Sequence, residues 1–153
     1  MQALEQLLRR IVALDENAII NAILKKKEVQ DYILSLNRWS QLYDEGIDSE
    51  GNKLRSQFAK FGRAYSDTTT IIKEKKGQPT DRVTLYDTGA FYRSFRVRIG
   101  SDEFEIEANS KKDSGDLIET WGPVLGLTDE SLQFVINAIR DEMVPIIIGR
   151  LLR

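Results

Sequence analysis

The sequence predicts an α+β fold: a helical amino-terminal third, a small antiparallel sheet built on a hairpin near residues 95–108, and a carboxy-terminal helix packed on that sheet. Three observations lead there. Apolar residues recur at three- and four-residue spacing through the first forty or so positions, the same spacing returns after Thr128, and between them residues 95–99 and 103–108 alternate between apolar and charged. The division expected is a helical arm over 1–50 and an α+β core over 51–153.

The elements follow in order. Leu4, Leu7, Leu8, Ile11 and Val12, then Ile19, Ile20, Ile23 and Leu24, form helical stripes, with Arg9, Arg10, Lys25 and Lys26 at other positions. Between the stripes, Asp15-Glu16-Asn17 favours a cap, so the leader reads as one bent helix or two. A further helix over about 28–43 places Val29, Ile33, Leu36 and Trp39 or Ser40 on one side, with Gly46 as its terminator. The β-branched run Thr68-Thr69-Thr70-Ile71-Ile72 favours a strand or extended arm, and 73–82, with Gly77 and Pro79, has the makeup of a surface loop.

The hairpin is specified most sharply. Phe95, Val97 and Ile99 alternate with Arg96 and Arg98, and Phe104, Ile106 and Ala108 alternate with Glu103, Glu105 and Glu107. A loop of Gly100, Ser101, Asp102 and Glu103 pairs Ile99 with Phe104, Arg98 with Glu105, Val97 with Ile106, Arg96 with Glu107 and Phe95 with Ala108. Every apolar residue then meets an apolar one and each arginine a glutamate; a slip of one residue would drive charge into the core. Residues 109–116 read as a polar surface loop and 117–121 as a short turn. Gly122-Pro123 breaks the chain, and Thr128 caps a last helix whose Leu132, Val135, Ile136, Ile139 and Met143 share a face. That helix is expected to reach Met143 and to kink or stop near Pro145.

Composition bounds the function. The chain has 153 residues, 41% of them hydrophobic, enough for one core of ordinary stability. Charged residues make up 30% with a net charge of -2, which argues for interspersed signs and against a dedicated polyanion binder. Cysteine and histidine are absent, removing thiol nucleophiles, thiolate metal sites, and the commonest general base. The start of the chain does not read as a signal peptide, and the apolar run 144–152 falls short of the roughly 20 residues that cross a bilayer. Neither an enzyme nor a membrane protein is expected, and no cofactor or metal.

The stretch 84–99 points to a job. Asp87 and Thr88 carry capping oxygens, Gly89 permits a tight backbone, about one helical turn follows through Ser94, and a strand begins without a linker. This Leu-x-Asp-Thr-Gly-x-aromatic-x-x-Ser-aromatic-x-Val pattern resembles the central motif of tailed-phage virion morphogenesis proteins, the small tail-completion and head-tail joining components of the virion neck. The resemblance covers about one third of the chain, extending loosely through Gly126-Leu127-Thr128 and the last helix. It implies a structural virion protein, assembled in host cytoplasm into a homo-oligomeric ring of six or twelve copies between portal or adaptor and tail proteins. It further implies that Asp87, Thr88 and Gly89 shape the turn, that Phe91, Tyr92 and Phe95 anchor it, and that Arg93 and Arg96, with Arg98 beside them, are candidates for subunit contacts. The chain departs from many members in carrying Trp121-Gly122-Pro123-Val124-Leu125-Gly126-Leu127 before the last helix, and in its long helical leader.

Two other readings come from the residues alone. Residues 51–76 hold seven basic side chains against Asp67 and Glu74, so a nucleic-acid-binding accessory role is the alternative, with DNA contact possible but not required. Asp113, Asp116 and Glu119 lie close in sequence and have the chemistry to hold a hard cation, although a solvated loop explains them better. Asp87-Thr88-Gly89 is also similar to the catalytic triplet of aspartic proteases, but the flanking apolar strands are wrong and a capped turn accounts for the same residues.

Overall fold

The computed structural model describes residues 1–101 and 103–153. Asp102, placed in the hairpin loop by the sequence, lies outside the described residues.

Two helices make up the leader: α1 (Gln2–Val12) and α2 (Glu16–Leu24). The break falls where Asp15 competes for the backbone, its carboxylate accepting the Ala18 amide at 3.0 Å as an N-cap. Helix α2 buries Ile19, Ile23 and Leu24, whereas α1 buries nothing and leaves Leu4, Leu8 and Ile11 about half exposed. Helix α3 (Lys27–Ser35) runs directly into a π-helical segment (Leu36–Glu45) that ends at Gly46. Gly46 sits at φ 65°, and the Ile47 amide turns back to the Gln41 carbonyl at 3.0 Å. A Cβ at Gly46 would stand 3.0 Å from the Val83 carbonyl, so both conformation and space call for glycine there.

The run expected to be extended is instead a helix, α4 (Asp67–Lys75). Capping overrides β-propensity. The Ser66 hydroxyl accepts the Thr69 amide at 3.3 Å, Asp67 stands in the positive first turn, and Lys73 and Lys75 stand in the negative last turn. Thr70 adapts by donating its hydroxyl to the Ser66 carbonyl at 2.9 Å. β-Branched residues disfavour helix by only a few tenths of a kcal/mol each, a weak preference that the cap, the charge placement and tertiary context together offset.

After the one-turn helix α5 (Ala90–Arg93), strands β1 (Arg96–Ile99) and β2 (Phe104–Glu107) pair antiparallel in the register that alternation demands: Arg96 with Glu107, Val97 with Ile106, Arg98 with Glu105, Ile99 with Phe104. The polar stretch that follows folds into a second, minimal hairpin, β3 (Lys111–Lys112) with β4 (Gly115–Asp116), and α6 (Leu117–Trp121) begins at the Asp116 cap.

Helix α7 (Asp129–Leu151) passes through Pro145 without stopping, so it does not end near Met143. Pro145 and Asp141, whose carbonyl loses the amide partner, are both exposed. The placement of α7 also differs from a simple helix-on-sheet packing. Its main neighbours are α2 and α1, then α3, while β1 is covered by α3. Val135 and Ile139 still join the apolar core that contains Ile106 and Phe104. That core is continuous from Leu24, Ile33 and Leu42 through Leu54, Tyr65 and Val83 to Phe91, Phe95, Ile106, Val124 and Val135. Among the described residues, no helix is long and apolar enough to cross a membrane.

Candidate functional site

The conspicuous local construction of the molecule is the segment leading into α5. Thr84 is fully buried, and both its backbone groups are taken by phenols: the Tyr65 hydroxyl accepts the Thr84 amide at 2.9 Å, and the Tyr92 hydroxyl donates to the Thr84 carbonyl at 2.5 Å. Leu85 then adopts φ 55°, a left-handed conformation that costs a side-chain-bearing residue about 1–2 kcal/mol. The strain persists because the neighbours on both sides are fixed. The Tyr86 amide donates to the Thr84 hydroxyl at 3.2 Å, and the Tyr86 carbonyl accepts from the Lys73 ammonium, also at 3.2 Å. Asp87 pairs with Lys76 at 2.6 Å, and the Asp87 carbonyl accepts from Gln78 at 2.9 Å.

The sequence-predicted residues divide by depth. Gly89 has φ 83°, a backbone conformation that favours glycine, and a Cβ there would crowd the Arg93 guanidinium and the Tyr86 hydroxyl. Phe91 and Tyr92 are 2% exposed and Phe95 is also buried, so this side of the motif faces the chain's own core. Their rings join an edge-to-face cluster with Tyr86, Tyr43 and Trp39, including Tyr86 to Tyr92 at 5.1 Å and Phe91 to Phe95 at 4.9 Å. Asp87, Thr88, Arg93, Arg96 and Arg98 lie at the surface. Arg93 closes the turn by donating to the Thr88 carbonyl at 3.1 Å. Arg96 pairs with Glu107 at 2.9 Å, while Arg98 reaches Glu107 at 3.0 Å and Glu105 as well. The outer face of the hairpin is thus a ladder of alternating charge rather than a patch of one sign.

Two charged groups near the turn are shifted, each for a physical reason. The Lys76 ammonium holds the Asp87 carboxyl below its ordinary value. Burial lowers the pKa of Lys73, whose ammonium also lies 5.0 Å from the centre of the Tyr65 ring. Beside these groups, a cavity of about 260 Å³ is lined by Tyr65, Lys73, Asp87, Lys112 and Trp121 among others.

Several supporting residues were not singled out by the sequence reading. Asn37 and Gln41 are buried on the π-helical segment, four residues apart, and grip 124–128 by their amides. Asn37 donates to the Val124 carbonyl at 3.0 Å and accepts the Gly126 amide at 2.9 Å; Gln41 donates to the Gly126 carbonyl at 2.9 Å and accepts the Thr128 amide at 3.0 Å. A π-helical turn is wider than an α-turn, which brings residues four apart almost into line. The signal available was the pairing of two carboxamides at that spacing beside apolar neighbours. Arg38 likewise donates to the Tyr92 carbonyl at 3.0 Å.

The acidic trio does not form a centre. Asp116 accepts the Ile118 amide at 2.8 Å as the cap of α6, which lowers its pKa, and no group of three acidic side chains that could hold a metal ion occurs among the described residues. Comparison with protein-family models, with curated proteins and with solved structures finds no match.

Proposed function

We propose that this chain is a structural protein of a tailed-phage virion, one subunit of an oligomeric ring at the head-tail interface. The observation that carries the reading is the construction of 84–99: a turn fixed at nearly every residue, buried on one side through Phe91, Tyr92 and Phe95, and presenting Asp87, Thr88, Arg93 and Arg96 on the other. A segment that holds a strained backbone and displays polar groups in fixed positions is suited to repeated docking, because little conformational entropy is lost on contact. The same residues carry the resemblance to virion morphogenesis proteins. Closure into a ring needs a heterologous contact, one surface of a subunit meeting a different surface of the next.

The basic segment offers weaker support for nucleic-acid binding. Six of its seven cations have protein partners: Lys53 donates to the Glu45 carbonyl, Arg55 to the Lys60 carbonyl, Lys60 and Arg63 to Asp67, Lys73 to the Tyr86 carbonyl, and Lys76 to Asp87. Phosphate would have to compete with each of them.

Quantitative mass spectrometry of density-purified particles, made by the genome that encodes the chain, tests the proposal. A few to a dozen copies per particle is the expected result. Absence from clean, infectious particles would sink it and favour the nucleic-acid role.

A further inference from the structure

Lys73 on α4 is a buried cation that no carboxylate answers. The residue is 9% exposed, and its ammonium is held by neutral groups. It donates to the Tyr86 carbonyl at 3.2 Å, reaches the Gln78 side-chain carbonyl at 3.4 Å, and lies 5.0 Å from the centre of the Tyr65 ring. Asp87 is the acid that acts on it, but that carboxylate is engaged by Lys76 at 2.6 Å, and no ion pair reaches Lys73 among the described residues. Burial lowers the Lys73 pKa, the mark of a charge taken out of water without a counter-ion. Lysine is almost never buried in this way unless it is paired.

The same lysine lines the cavity of about 260 Å³ beside the 84–99 turn. Tyr65, Phe91, Trp121, Leu85 and Leu117 supply its apolar wall, and roughly 150 Å³ of such space accepts one benzene-sized ring. Lys112, exposed on the β3–β4 hairpin, is a second cation in the lining, and its side chain has no partner among the described residues. The one acid in the lining is Asp87, which Lys76 neutralises, so the charge left over is positive. Asp113 and Asp116 of the hairpin do not line the cavity, and Asp116 is taken by the Ile118 amide. Apolar walls with a few convergent polar groups, one of them shifted in pKa by burial, are the architecture of a small-ligand site. Leu85, held at φ 55°, stands in that wall, where strain of this kind is commonly kept.

We propose that this cavity binds a small carboxylate with an apolar or aromatic body, its charge meeting Lys73 and Lys112 and its body lying against Tyr65, Phe91 and Trp121. A single negative charge fits better than a phosphate. The Lys73 ammonium has two of its three donors on carbonyl oxygens already, and Asp87 in the same lining repels a second charge on the ligand. The carboxylate is carried either by a free small acid or by an acidic side chain of a partner chain; the chemistry that recognises it is the same. The site goes beyond the ring reading and does not depend on it.

Benzoate and its neutral isostere benzamide, titrated into the full chain at matched ionic strength and followed by amide NMR shifts, provide the test. Benzoate is expected to bind with a Kd of about 1 mM or tighter, and benzamide about tenfold more weakly or worse. The shifts should centre on residues 85–91 and 112–117 and on the Trp121 indole N–H. Lys73→Met keeps most of the alkyl stem and removes the charge; it is expected to lower benzoate affinity about tenfold or more with native circular dichroism. Should that variant fail to fold, the benzoate and benzamide comparison on the unaltered chain still decides. Equal binding of the two, shifts centred elsewhere, inorganic phosphate binding more tightly than benzoate, or no benzoate binding up to about 10 mM each overturns the proposal. Among the outcomes that uphold it, a blocked Phe-Glu-Phe peptide that binds more tightly than benzoate, while its Phe-Gln-Phe counterpart does not, assigns the carboxylate to a partner chain. Tighter binding of benzoate assigns it to a free acid. The particle count by mass spectrometry is read separately, so loss of this site leaves the ring reading intact, and loss of the ring reading leaves the site.

Discussion

Thr84 shows how much a single residue can fix. Its amide and carbonyl are buried and each ends on a different phenol, so Tyr92→Phe leaves a buried carbonyl without its donor. The expected loss is about 1–3 kcal/mol in a denaturant titration, with the slope unchanged. Tyr65→Phe should cost a similar amount, and the double variant less than the two together, because both act on one residue. A titratable neighbour adds a pH signature. The folded pKa of Asp87 is depressed below its ordinary 3.8 by Lys76, so its contribution is fully present above that value and is lost as pH falls through the folded pKa. Asp87→Asn should flatten the fall in thermal midpoint below about pH 4 and leave stability at pH 7 only slightly reduced, since the pair is exposed.

At the scale of elements, polar groups inside the fold join what hydrophobic periodicity leaves apart. Asn37 and Gln41 serve as a substitute strand edge for 124–128, each amide answering one carbonyl and one amide of that segment. Gln41→Ala is expected to cost about 2 kcal/mol or more, and Asn37→Ala the same, because each leaves two backbone groups without partners. Hydrogen exchange should locate the damage at Gly126 and Thr128 and in the first turn of α7, ahead of any change in the hairpin. A loss confined to α3 and its π-helical extension would show that the amides serve their own helix instead. The hairpin was legible in the sequence because strict alternation with opposite charges admits a single register. Helix α4 was not, because the threonines and isoleucines at 68–72 indicate a strand unless the cap at Ser66 is given its full weight.

For the whole molecule, the exposed ladder on β1 and β2 bears on assembly. Arg96→Glu alone would break the pair with Glu107 and set like charges across the strands, so failure to assemble would be ambiguous. The exchange Arg96→Glu with Glu107→Arg keeps that cross-strand pair and reverses the charges it shows to a neighbour, at the cost of the exposed 3.0 Å contact of Arg98 with Glu107. This double variant is expected to melt within a few degrees of the parent yet fail to build infectious particles. Normal particles from it would remove Arg96 from the subunit contacts. Arg93→Glu supplies the companion test, since Arg93 is exposed and, among the described residues, is tied to the Thr88 carbonyl.

The sequence by itself determined the α+β class, the hairpin register and a turn at Asp87-Thr88-Gly89, and it marked Asp15-Glu16-Asn17 as the place where the leader bends or breaks, because these rest largely on residues near one another in the chain. Only the tertiary structure decided that α7 lies against α1 and α2, that Thr84 is clamped by Tyr65 and Tyr92, that Asn37 and Gln41 grip a segment almost ninety positions away, and that Phe58 and Phe61 remain in solvent. Those outcomes depend on which surfaces meet. Periodicity shows that a face is apolar or a group needs a partner, but the partner is chosen by the packing of the whole chain.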